Sequence, residues 1–147
     1  MIIHRPAVRV LCLDENGRIL LIQWRDPFDG HLVWEPPGGG VEDGESYLDT
    51  ARRELAEETG LDPARIGERY VMVERDVRWN GKHYGGAEAF FLARYAGTPE
   101  VRPAGLMPDE TGNLVSHAWV TEADLKDLTG DVEPPQLLAV LASLAEG

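Results

Sequence analysis

Cysteine is almost missing from this chain: Cys12 is the only one in 147 residues. A single thiol excludes an intramolecular disulfide and any thiolate cage for a metal, and it makes a reducing cytoplasm the expected compartment. No apolar run approaches the roughly 20 residues that span a bilayer, and the opening MIIHRPAVRV lacks the apolar block of a secretion signal. Positive charge is also scarce. Fourteen Lys and Arg face 26 Asp and Glu, giving a formal net charge of −12. Such a surface repels phosphate backbones and anionic lipids at long range, so neither unspecific nucleic-acid binding nor a membrane is expected. No repeat, low-complexity tract or linker interrupts the chain. Its length suits one domain, residues 1–147.

What is present reads as an ordinary folded protein, with 43% hydrophobic residues. The stretch AVRVLCLDENGRILLIQWR is two apolar runs around a turn and predicts a β-hairpin. A Pro- and Gly-rich loop follows, with a short strand at LVW. From about Ser46, Leu48, Ala51, Leu55 and Thr59 recur at helical spacing, until Gly60 and Pro63 end the helix. The runs RYVMVERDVRW and EAFFLARYA flank Asn80-Gly81, a strong hairpin signal. The segment GTPEVRPAGLMPDETGNL reads as a surface loop, SHAWV as a strand, and TEADLKDL as a short helix capped by Thr121. PPQLLAVLASLAEG predicts a final amphipathic helix. The fold class is α/β (α+β), a mixed β-sheet sandwiched between helices.

One feature resists a bland reading. Glu54, Glu57 and Glu58 crowd within little more than a turn of the first helix. Like charges at this spacing repel by a few tenths of a kcal/mol per pair, and a merely solvated helix interleaves cations, which residues 54–58 lack. At about 100° per residue, Glu54 and Glu58 run along one edge of the apolar stripe, while Glu57 sits further round. A rigid oxygen-rich patch beside the glycine run at 38–40 suits a hard cation, Mg²⁺ or Mn²⁺.

The spacing extends beyond the glutamates: Gly39, five residues, Glu45, seven residues, then Arg53-Glu54-Leu55-x-Glu57-Glu58-x-Gly60-Leu61. This pattern resembles a complete Nudix box over residues 39–61, and the flanks resemble the Nudix hydrolase family as well. The resemblance implies the Nudix fold and an enzyme, a pyrophosphohydrolase that cleaves a pyrophosphate bond in a nucleoside diphosphate-linked substrate with Mg²⁺ (or Mn²⁺). By motif position, Glu54, Glu57 and Glu58 are metal ligands, joined by the Gly38 carbonyl. Arg53 orients the glutamates, and Glu45 holds the loop–helix geometry. Glu57 is the first choice for general base, with Glu110 and Glu88 as alternatives.

Substrate signals are fewer. Trp79 and Tyr84 flank the Asn80-Gly81 turn and are placed to stack a base; Arg25 ends a strand before the glycine loop and is placed to touch phosphate. His4, His31, His83 and His117 show no ligand spacing. The marks of the ADP-ribose, dinucleoside polyphosphate, coenzyme A and NADH subfamilies are absent, so the expected partner is a small nucleotide-type molecule of open identity. A homodimer is also left open. The alternative is a Nudix-fold module that senses a nucleotide without cleaving it; such modules degrade the box, and this box is intact.

Overall fold

The computed structural model describes residues 1–103, 105 and 108–146. In chain order its strands are β1 (Ile2–His4), β2 (Ala7–Leu13), β3 (Ile19–Arg25), β4 (Leu32–Glu35), β5 (Gly38–Gly40), β6 (Ile66–Trp79), β7 (Lys82–Arg94), β8 (Leu114–Val120) and β9 (Asp131–Val132). Its helices are α1 (Tyr47–Thr59), α2 (Pro108–Asn113) and α3 (Leu137–Ala145). None is long and apolar enough to cross a membrane.

The sheet is mixed because β7 takes partners on both edges. It runs parallel to β1, with Ile2 opposite His83, and to β2, from Val8 opposite Ala89 to Leu13 opposite Arg94. On its other edge it is antiparallel to β6. Asn80 and Gly81 join these two strands with φ values of 51° and 75°, the paired left-handed conformation of a tight hairpin. β3 is antiparallel to both β4 and β8, and β5 adds to β2.

Two-residue alternation along buried strands divides the core into two layers. Val8, Val10 and Cys12 of β2, with Ala89, Phe91 and Ala93 of β7, face Ala51 and Leu55 of α1. Leu11, Leu13, Leu21 and Phe90 point the other way, toward Leu137, Val140 and Leu144 of α3. The sheet is therefore sandwiched between helices, as its sequence predicts.

Two expectations need correction. The β2–β3 hairpin closes at its turn, where the Asp14 carboxylate accepts the Asn16 and Arg18 N–H groups at 2.9 and 2.8 Å. Yet the strands share only the Leu13–Ile19 pair. Both are buried on two faces, and each finds a longer partner elsewhere, β2 in β7 and β3 in β8. The segment 97–114 is also more than a surface loop. Val101 is buried in the α1-side core, and Arg102 N–H and Gly105 N–H donate to the Thr59 and Glu57 carbonyls at 2.7 and 3.0 Å. They satisfy carbonyls that the end of α1 would otherwise leave open. The segment then winds into α2; residues 104, 106 and 107 lie outside the described set.

Candidate active site

α1 begins at a reciprocal box: Ser46 Oγ accepts from Asp49 N–H, and the Asp49 carboxylate accepts from Ser46 N–H, each at 3.1 Å. It ends at Gly60, left-handed at φ 70°. Between these caps, fully buried Ala51 and Leu55 fix the helix azimuth and so decide where each glutamate points. Glu58 is 5% exposed, and its Oε1 accepts the Gly38 N–H at 3.0 Å. Glu54 lies beside it, and Glu57 stands furthest out, with a side chain 38% exposed. A Cβ on Gly39 would land on the Glu54 carboxylate; only glycine lets β5 pass this close to the helix.

Arg53 ties the patch together. Its Nε and Nη2 grip the two Glu45 oxygens at 2.7 and 2.9 Å, a bidentate fork. Its Nη1 reaches Glu54 at 2.8 Å and Glu57 at 3.4 Å, and Nη2 also donates to the Gly40 carbonyl at 3.2 Å. The Arg53 hydrogen bond, helped by the Glu42 N–H and the Thr50 hydroxyl, pulls the Glu45 carboxyl down to about 2. Glu45 is thereby a permanent anion that locks loop to helix.

The other carboxylates are left short of positive charge. Burial pushes Glu58 well above the usual carboxylate range, with the Arg9 charge and the Gly38 N–H opposing it. Burial also raises Glu54, against the pull of Arg53. Two such groups on a rigid helix, with Glu57 adjacent, form an all-oxygen donor set that a divalent cation fits.

These side chains line a cavity of about 660 Å³. Its floor is a charge network that the sequence did not advertise. Arg9 of β2 lies 3.1 Å from Glu35 and 3.6 Å from Glu88, and donates to the Pro36 carbonyl. Arg75 of β6, its side chain only 3% exposed, meets Glu88 at 2.6 Å and approaches Glu35 at 3.9 Å and Glu133 at 4.0 Å. Burial works against the Arg9 charge, but Glu35, Glu88, Glu58 and Glu54 together outweigh it and hold the guanidinium charged. Arg9 is thus the electrostatic joint between the floor and α1.

The expected residues divide clearly. Gly38, Arg53, Glu54, Glu57, Glu58, Glu88 and Glu110 all line the cavity. Glu45 acts from behind it through Arg53. Trp79 and Tyr84 are half-buried and line the wall, along with Trp24 and His31. Arg25 is exposed and absent from the lining. Alternation along β3 gives the inner face to Trp24 and turns its neighbour outward, so a phosphate contact by Arg25 has no geometric support. His31, unremarkable in sequence, sits 2.6 Å from Asp29 and 3.5 Å from Asp26.

A helix of clustered carboxylates lies under a glycine strand and faces a cleft. The chain matches the NUDIX domain family over residues 3–141 and belongs to it. It is 31% identical over 102 residues to an RNA pyrophosphohydrolase of a Wolbachia from Brugia malayi, covering 64% of this chain and 62% of that protein. A second RNA pyrophosphohydrolase, from Novosphingobium aromaticivorans, is 30% identical over 135 residues, covering 85% and 82%. The chain thus spans less than two thirds of the first relative's length and about four fifths of the second's. Among solved structures, the Ap4A hydrolase of C. elegans in a binary complex superposes with a TM-score of 0.69 at 18% identity, over 97% of this chain and 96% of that one. That likeness is one of fold.

Proposed function

We propose that this protein hydrolyses a pyrophosphate bond in a nucleoside diphosphate-linked substrate, using Mg²⁺ or Mn²⁺ held by Glu54, Glu57, Glu58 and the Gly38 carbonyl. The observation that carries this reading is the carboxylate set on α1, short of cations and open to an aromatic-walled cavity of about 660 Å³. A divalent ion there supplies positive charge to the phosphate oxygens. The protein's own groups do the rest. Glu57, the most exposed of the three, is placed to accept the proton of the attacking water. Arg53, braced by Glu45, holds Glu54 and Glu57 in register. Trp79 and Tyr84 offer flat surfaces to a base. The cytoplasm is the proposed compartment.

The relatives' shared name favours a second reading, in which the nucleotide is the 5′ end of an RNA. The net charge of −12 argues against an extended RNA footprint, so only the terminal nucleotides would engage. A phosphate- and pyrophosphate-release screen with Mg²⁺, across nucleotides, nucleotide sugars, dinucleotides and 5′-triphosphorylated RNA, separates the two. Release from none of these overturns both.

Two results are expected at once. Millimolar Mg²⁺ or Mn²⁺ raises the melting temperature in a concentration-dependent way, by about 2.7 kcal/mol of stability at a hundredfold excess over Kd; an unchanged melting curve would count against a cation at α1. Trp79→Ala raises KM about tenfold or more with kcat nearly unchanged, because stacking of roughly 1–3 kcal/mol per base acts equally on ground and transition states. Steady-state kinetics on this variant measure it.

A further inference from the structure

The loop between β3 and β4 contains a buried carboxylate that the chemistry at α1 does not use. Asp26 is 3% exposed. Its Oδ1 accepts the Phe28 N–H at 2.8 Å, a local turn bond. Its two oxygens also accept the Asn80 N–H, at 3.0 and 3.2 Å, from 54 residues away. Asn80 is the left-handed residue at the tip of the β6–β7 hairpin. Further contacts join the same two segments. A Cβ on Gly81 would come within 3.0 Å of the Phe28 ring, and the His31 ring meets Trp79 edge-on at 6.5 Å.

The local turn needs only the Phe28 bond, so the bond to Asn80 requires a separate account. Asp26, Asp29 and His31 bring ligand atoms within 4.8 Å of one another, but both Asp26 oxygens already accept N–H donors and nothing else there points to an ion. The consequence of the Asn80 bond lies next door in sequence: Trp79 lines the cavity wall. Near the tip β1 supports β7 from His83 onward, but β6, which carries Trp79, pairs with β7 alone and is an outer strand free to fray; tied to the β3–β4 loop, it keeps Trp79 in the cavity wall.

We propose that Asp26 is a positioning residue for substrate specificity: it latches the hairpin tip to the β3–β4 loop and so holds Trp79 as a rigid wall for the base. This rests on reading the cavity as a nucleotide site. Asp26 touches no reacting atom and acts through Trp79, so it governs KM and the preference among bases, leaving bond cleavage alone. Pre-organisation of this kind improves binding by removing the cost of ordering the wall at each encounter.

The test is a double-mutant cycle with Mg²⁺ and whichever of ATP, GTP, UDP-glucose and diadenosine tetraphosphate the wild type hydrolyses fastest. Asp26→Ala is expected to raise KM about fivefold to tenfold, inside the range that stacking supplies, with kcat within about twofold of wild type. In the Trp79→Ala background the same change is expected to do nothing further to KM. Asp26→Asn keeps the Oδ1 acceptor for both N–H groups and is expected to restore wild-type KM. Full additivity with Trp79→Ala, or a fall in kcat that Asp26→Asn does not repair, overturns the latch. If Trp79→Ala leaves KM untouched, the nucleotide wall itself is wrong and the inference falls with it. Amide exchange at Asn80 gives a reading independent of activity: faster in Asp26→Ala than in wild type supports the latch, unchanged exchange overturns it.

Discussion

Glu57→Gln is expected to lower kcat by roughly 10²–10⁴-fold in the presence of Mg²⁺, the range for loss of a general base, without loss of the fold. Glu57 is the most open of the three clustered carboxylates and bonds only loosely to Arg53, at 3.4 Å. The substitution removes charge and keeps shape. In EDTA it relieves repulsion with Glu54, so the melting temperature is expected to stay level or rise slightly, by a few tenths of a kcal/mol. At millimolar Mg²⁺ the sign reverses, because the wild type gains binding energy that the variant forfeits. Melting curves in the two buffers, beside the kinetics, check both halves. Equal effects in both buffers would mean that no cation is held there.

Arg75→Ala is expected to cost about 3–5 kcal/mol of stability, the toll of stripping one partner from a buried ion pair. Glu88 at 2.6 Å loses its nearest cation, and Glu35 and Glu133 lose a neighbour at about 4 Å. Burial already holds Glu133 above its ordinary carboxyl range, and Arg75 is the leading influence pulling it down. Without Arg75 it rises further. A carboxyl raised in the folded state lends stability that is full below its unfolded value and lost as the pH climbs through the folded one. The deficit of the variant is therefore expected to shrink as the pH falls toward the mildly acidic range. Urea unfolding at several pH values measures it. A Glu88→Gln partner change that recovers much of the loss would locate the cost in the orphaned carboxylate.

The carboxylate helix was legible because everything that defines it is local. Ser46, the apolar spacing of Ala51 and Leu55, and Gly60 fix one cylinder, and a cylinder fixes where three glutamates point. The Asn80-Gly81 turn was legible for the same reason. The floor was not. Arg9, Glu35, Arg75 and Glu88 come from four strands, and in the alternation of VERDVRW an arginine looks solvated. The β6–β7 register sets Glu88 opposite Val73, diagonal to Arg75, but only the distant pairing of β7 with β2 brings Arg9 to the same face. The β2–β3 hairpin was legible at its turn, which is local chemistry, but its extent was not, because its strands answer to longer partners elsewhere. Arg25 does end β3, but the face it occupies is set by the sheet, and it lies exposed beside the inward Trp24.

The parallel pairing of β7 with β1 and β2 sets an order of events during synthesis. Those partners lie about eighty positions apart along the chain, Ile2 with His83 and Val8 with Ala89. Closing so long a loop carries an entropic cost that local contacts do not repay, and folds rich in such pairings are slow. While the ribosome is still short of β7, the finished α1 has its glutamates but lacks the strand that carries Glu88. The β6–β7 hairpin, local and tightly turned, is the piece able to form first and recruit the waiting N-terminal strands. Until it does, β2 presents an unpaired apolar edge, and a chain stalled near residue 80 is the species most exposed to aggregation.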